Sequence, residues 1–119
     1  MRIVKVNKTP KVPFIDPLFT GSDVTKQTLV PDSKDLDLYM VNFGKGVKNR
    51  FHTHNGDQVL IIVSGKGIVA TEKENRIVTP GDIVVFQAGE NHWHGATEDS
   101  DFSHIVITKR GVKFAPAGD

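Results

Sequence analysis

The sequence predicts a single all-β domain, a sandwich or barrel, and three observations carry that expectation. Short runs rich in Val, Ile and Phe recur along the chain. Turn-forming clusters break them at roughly eight- to twelve-residue spacing. No segment of useful length shows the apolar period of an amphipathic helix.

In chain order, Ile3–Val6 and Val24–Leu29 are the weaker strand candidates, separated by a Pro-containing loop, and Pro31–Asp35 reads as a turn. The stronger candidates are Asp37–Phe43, Asn49–His54, Gln58–Val63, Gly67–Thr71, Arg76–Val78, Asp82–Phe86, His92–Ala96 and Phe102–Lys109. Between them lie GKG at 44–46, NGD at 55–57, SGKG at 64–67, KEN at 73–75, TPGD at 79–82 and AGEN at 88–91. The tail after Gly111 is expected to lie along the surface or fray. The chain therefore divides into an N-terminal segment, 1–30, packing on the barrel or on a partner, a barrel over 31–111, and a tail over 112–119.

The run Gln58–Val63 says more than its length. Val59, Ile61 and Val63 share one face of the strand and Leu60 and Ile62 the other, so both faces are apolar. Something must then cover the outside of the barrel. A second sheet and a partner subunit are both expected to do so, with the N-terminal strands helping to build a homodimer or a larger homo-oligomer.

Bulk composition mostly excludes. A chain of 119 residues suits one domain with its own core. Fifteen basic residues against fourteen acidic ones, without a basic run, argue against nucleic acid as a partner. The absence of cysteine removes thiolate chemistry, thiolate-bound metals and disulfides, and fits a reducing cytoplasm. The first residues are interrupted by charges and prolines and do not read as a signal peptide. No apolar run approaches the ~20 residues that a membrane helix needs, so no membrane partner is expected.

All five histidines fall between residues 52 and 104, and four of them form two H-x-H pairs, His52/His54 and His92/His94. Positions i and i+2 of a strand project from the same face, roughly 6.5–7 Å apart along the backbone, so two imidazoles can converge on one ion. One such pair alone would read as a solvated strand. Two pairs set among apolar strands and glycine turns read as a metal site.

The spacing sharpens this. Residues 46–65 read G-x5-H-x-H-x3-Q-x6-G, with Gly46, His52, His54, Gln58 and Gly65 at the fixed places. Residues 81–92 read G-x7-G-x2-H, with Gly81, Gly89 and His92. These two segments resemble the paired motifs of the cupin superfamily. That resemblance implies a jelly-roll (double-stranded β-helix) barrel with one divalent metal held inside by His52, His54, Gln58 and His92. Three positions depart from the usual pattern. Gln58 stands where most cupins have Glu, Gln87 replaces a proline and Ala96 replaces an asparagine. A neutral amide oxygen is a competent ligand for Mn²⁺ or Fe²⁺. It leaves the ion its full charge, which makes a stronger Lewis acid and a better seat for an anion.

Further stretches narrow the resemblance. FTG at 19–21, the HTH-x3-Q-x-LI-x-V run, PGD-x-V-x-F at 80–86, GE-x-HWHGA at 89–96 and His104 together look like the small bacterial cupin hydroxynitrile lyases, over roughly residues 19–108. The resemblance implies manganese as the metal, with iron, nickel or zinc as the other candidates. It also implies two further histidines in the cavity, His94 and His104, as catalytic residues. Alternation supports both inward positions, since His94 follows His92 by two and His104 shares a strand face with Phe102, Val106 and Thr108. A histidine on an apolar face is more often a core residue bonded to a neighbour, and His94 could equally orient a ligand, so both readings stay open.

The expected partner is a small molecule. Its pocket would be lined by Tyr39, Val41, Leu60, Ile62, Phe86, Val106 and Thr108, with Tyr39 or Trp93 narrowing the mouth. Three functions fit the sequence: a metal-dependent lyase that cleaves or makes cyanohydrins, an Fe/Mn-dependent dioxygenase, and a non-catalytic metal- or ligand-binding module.

Overall fold

The computed structural model describes residues 1–117 and is built almost wholly from antiparallel strands. The strands are β1 (Val12–Pro13), β2 (Val24–Thr28), β3 (Leu36–Phe43), β4 (His52–His54), β5 (Gln58–Gly65), β6 (Gly67–Thr71), β7 (Asn75–Val78), β8 (Ile83–Phe86), β9 (His92–Ala96), β10 (Phe102–Lys109) and β11 (Phe114–Pro116), after one 3-10 turn at Val6–Lys8. They form a six-stranded sheet ordered β1-β2-β3-β10-β5-β8 and a five-stranded sheet ordered β11-β4-β9-β6-β7. The two sheets face each other around one interior, which is the expected all-β jelly-roll barrel.

Alternation decides what enters that interior. On β10 every second residue, Phe102, His104, Val106 and Thr108, is buried, and the residues between them are half-buried outside. On β5 the inward set is Gln58, Leu60 and Ile62. One end of the barrel is solid, filled by Leu60, Ile62, Val69, Ala96 and Phe102. At that end the ring of Phe102 packs where a side chain on residue 67 would have to go, which accounts for Gly67. The motif glycines 46, 65, 81 and 89 all have positive φ, a conformation that L side chains rarely adopt.

Two expectations are corrected and one is refined. Ile3–Val6 forms no strand, because Ile3, Val4 and Lys5 are exposed, Val6 begins the 3-10 turn, and no neighbouring strand offers them a ladder. The short strand Val12–Pro13 pairs instead with β2. The tail lies along the surface as a short edge strand, since exposed Phe114–Pro116 pairs with His52–His54 as β11, while residues 118–119 lie outside the described range. Finally, the second sheet does not cover the outside of β5. Both sheets turn their apolar faces to the shared interior, so Val63 stays 42% exposed and, on the adjacent β8, Ile83 stays 65% exposed.

The N-terminal 3-10 turn covers another part of that outer face. Gln27, on the outer side of β2, donates through Nε2 to the carbonyls of Val6 and Thr9, and its Oε1 accepts from Asn42 on β3. Every polar end of this buried amide is thereby matched.

Candidate metal centre

The open end of the barrel holds a cavity of about 420 Å³ that reaches down to the histidines. Strands β4 and β9 lie side by side with His52 directly opposite His92. His54 follows on the same face of β4. One nitrogen from each of His52, His54 and His92 lies within 4.8 Å of the others, a spacing suited to a single ion. Ring centroids are 4.4 Å apart for His52 and His92, 4.9 Å for His52 and His54, and 5.1 Å for His54 and His92.

Backbone carbonyls set two of these rings. His52 Nδ1 lies 2.7 Å from the Arg50 carbonyl, and His92 Nδ1 lies 2.8 Å from the Glu90 carbonyl. A carbonyl only accepts, so each Nδ1 carries the proton and each Nε2 keeps its lone pair. His92 Nε2, His54 Nδ1 and Gln58 Oε1 are all buried without a partner. Buried polar atoms are nearly always bonded, so unbonded atoms on two members of the cluster, and on Gln58 lining the same cavity, suit an ion. Three neutral imidazoles and an amide oxygen are a donor set for a divalent transition metal, and the residues fit one. The ring of Phe86 stacks on His92 at 3.8 Å and 15°, which backs the ligand with an apolar wall.

Burial keeps these histidines neutral. It lowers His54 to about 4, with His52 adding a smaller push, and it lowers His92 to about 3 despite the Glu90 bond. His52 moves down for the same reason.

His94 and His104 both line the cavity, with ring centroids 4.8 Å apart. His104 is fully buried, neither of its ring nitrogens makes a hydrogen bond of good geometry, and burial lowers its pKa to about 3 against a smaller upward pull from the Ile105 backbone. His94 is held by Asn49, a residue that sequence reasoning passed over because an asparagine three positions before a ligand belongs to no spacing rule. Asn49 Oδ1 accepts from the His94 backbone N–H at 2.8 Å, and Asn49 Nδ2 lies 3.2 Å from His94 Nε2.

Of the expected lining residues, Tyr39, Val41, Val106 and Thr108 face the cavity. Leu60, Ile62 and Phe86 do not. Leu60 and Ile62 point inward but lie in the solid end of the core, and Phe86 lies behind His92. Their places on the wall go to Phe14, Leu18 and Phe19 from the N-terminal loop and to Val112 and Phe114 from the tail. Trp93 does not narrow the mouth either, because β9 turns it outward beneath the Lys48 ammonium, 5.1 Å from its ring. Tyr39 does stand at the cavity. Lys26 lies 4.3 Å over its ring, and burial, followed by the charge of Asp37, raises its hydroxyl to about 12.

Comparison with known proteins agrees with this architecture. The cupin domain family matches residues 39–108. An (R)-mandelonitrile lyase from Granulicella tundricola is 36% identical over 97 residues, covering 81% of this chain and 67% of that protein. A pectin degradation protein, KdgF, from Dickeya dadantii is 31% identical over 87 residues, covering 72% and 77%. Among solved structures, a cupin-like protein from Thermotoga maritima superposes with a TM-score of 0.81 at 31% identity, over 90% of this chain and 84% of that one.

Proposed function

The chain belongs to the cupin domain family, and from that premise we propose that it is a metal-dependent lyase for small carbonyl-derived substrates, with cyanohydrin cleavage and synthesis as its reaction. The observation that carries this reading is His104, fully buried on the wall of the cavity that His52 and His54 also line, with neither ring nitrogen hydrogen-bonded. A buried group left with no partner is costly, so a ligand that bonds to it recovers what the fold gives up.

The metal would be held by His52, His54, Gln58 and His92, with manganese first and iron, nickel or zinc behind it. When bound, a divalent ion supplies Lewis-acid stabilisation of an oxygen or a departing anion. The chain's own residues do the rest. The aryl or alkyl part of the substrate packs against Val41, Phe43 and Val106. His104, neutral through burial, accepts the hydroxyl proton of the cyanohydrin. The C–C bond to the nitrile breaks, its electron pair leaves with cyanide, and the carbonyl forms. His104 then returns the proton to cyanide, and synthesis is the reverse.

We also propose that the protein is a homodimer, joined through the outer face of the six-stranded sheet. There Ile83, Ile61 and Ile105 align across three strands, and Val85, Val59, Ile107 and Leu38 across four. No charge interrupts either row, so a second copy could pack on it as one sheet on another.

The decisive test is to load the protein with manganese, confirm its occupancy by elemental analysis, and supply benzaldehyde with cyanide. Mandelonitrile forming above the uncatalysed rate is expected. None forming in fully loaded protein would end the lyase reading.

A further inference from the structure

The bonds between Asn49 and His94 assign a proton. Asn49 makes three bonds to one residue: its backbone N–H donates to the His94 carbonyl at 2.9 Å, its Oδ1 accepts from the His94 N–H at 2.8 Å, and its Nδ2 faces His94 Nε2 at 3.2 Å. The second bond fixes the amide, because only the oxygen can accept from a backbone N–H. Nδ2 therefore points at the ring, and an amide nitrogen can only donate. Nε2 must accept, so a neutral His94 carries its hydrogen on Nδ1. A cationic ring would set two donors against each other.

Nδ1 is buried with no partner, and His94 lines the cavity. Packing holds the ring: Phe86 stacks on it at 5.9 Å and 18°, and Phe43 meets it edge-on at 6.0 Å. Asn49 and His94 are 5% and 3% exposed, so water does not compete for these bonds.

We propose that Asn49 is a positioning residue that fixes His94 as a hydrogen-bond donor to an acceptor atom of the substrate, which leaves His104 as the proton acceptor of the two. The two histidines are then not interchangeable. His94 is the donor that meets negative charge developing on the substrate oxygen or the departing group, and His104 is the base. The ligand class that satisfies both is a small molecule with a hydroxyl beside an acceptor that gains charge. The identity of that acceptor rests on the lyase reading, whereas the tautomer does not.

The experiment separates the two. Zinc-loaded, diamagnetic protein labelled with ¹⁵N-histidine is examined without substrate by long-range ¹H–¹⁵N correlation spectroscopy. His94 is expected to show a protonated Nδ1 and a bare Nε2. A protonated Nε2 in the unsubstituted protein overturns the proposal, and this reading does not depend on any variant folding. In Asn49→Asp the carboxylate can accept from both the backbone N–H and Nε2, so the proton is expected to move to Nε2 with metal content unchanged. With mandelonitrile, kcat of that variant is expected to fall about 10²–10³-fold, the usual loss of one donor to developing charge, with KM little changed. Equal kcat for the two proteins, with the tautomer reversed, overturns the donor role. A Nδ1-protonated His94 in a protein that turns over no cyanohydrin supports the tautomer fixed by Asn49 and overturns only the lyase reading.

Discussion

His52 and His92 face each other as register partners on β4 and β9, and each ring is tied by the same bond, from Nδ1 to the carbonyl two residues before it. The backbone of each motif thus orients its own ligand without borrowing an outside carboxylate. Both rings are aimed before any ion arrives. That common construction makes the metal site the part of the molecule whose behaviour is easiest to anticipate.

Replacing His52 with Ala removes one of these two aimed donors. Metal affinity is expected to drop by more than the ~10–100-fold typical of losing an outer-shell partner. Elemental analysis after dialysis, against the unsubstituted protein, measures it. Equal retention would move the ion elsewhere.

Gln58→Glu exchanges a neutral donor for an anionic one at the same place on β5. Divalent metal should bind more tightly, and exogenous anions such as azide more weakly, because the net charge at the centre falls by one. Isothermal titration with manganese, followed by azide, reads both. Unchanged affinities would show that the Oε1 orphan is not a ligand.

His104→Ala should leave metal content intact and lower mandelonitrile turnover by ~10²–10⁴-fold, the range of general acid–base catalysis. Steady-state rates at matched manganese occupancy make the comparison. A binding module would lose little.

Acid should unfold the metal-free protein early. The unfolded chain takes up histidine protons near pH 6.5, whereas folded His54 resists until about 4 and folded His92 and His104 until about 3. Between those limits the unfolded state holds more protons, so stability rises with pH and falls on acidification. The slope is up to about 1.4 kcal/mol per pH unit for each such histidine. Thermal melts from neutrality downward should show Tm falling across that window, and a flat Tm would contradict the buried neutral rings.

Gly65→Ala tests a turn rather than the chemistry. Residue 65 has φ +75°, and a Cβ there would collide with the Asp101 carbonyl. The left-handed conformation alone costs roughly 1–2 kcal/mol for an L side chain, and the collision adds to it. Denaturant unfolding should register at least that loss, with metal content unchanged in whatever folds.

The barrel was legible where alternation and turn chemistry agreed. Gly67–Thr71, His92–Ala96 and Phe102–Lys109 fall where the pattern puts them, because period-2 burial leaves little freedom of register. Val12–Pro13 and Phe114–Pro116 were not legible, since each is too short for a pattern and proline argues against a strand. The histidine cluster could be read because its spacing is local to two strands. The inner wall could not, because depth along a barrel is a tertiary property. Leu60 and Val106 carry the same inward signature and are register partners, yet only Val106 reaches the cavity. Asn49 had no periodic signature at all, and only the fold brings it to His94.

The pairing of β11 with β4 has a consequence for anyone handling this protein. A three-residue strand carries two of the histidines, and it meets β9 at the single register pair His52–His92 but β11 at three. Trimming the polypeptide after Gly111, or crowding that end with a bulky affinity tag, would loosen the strand on its longer side. Preparations differing only at that end would then differ in how much metal they keep through purification.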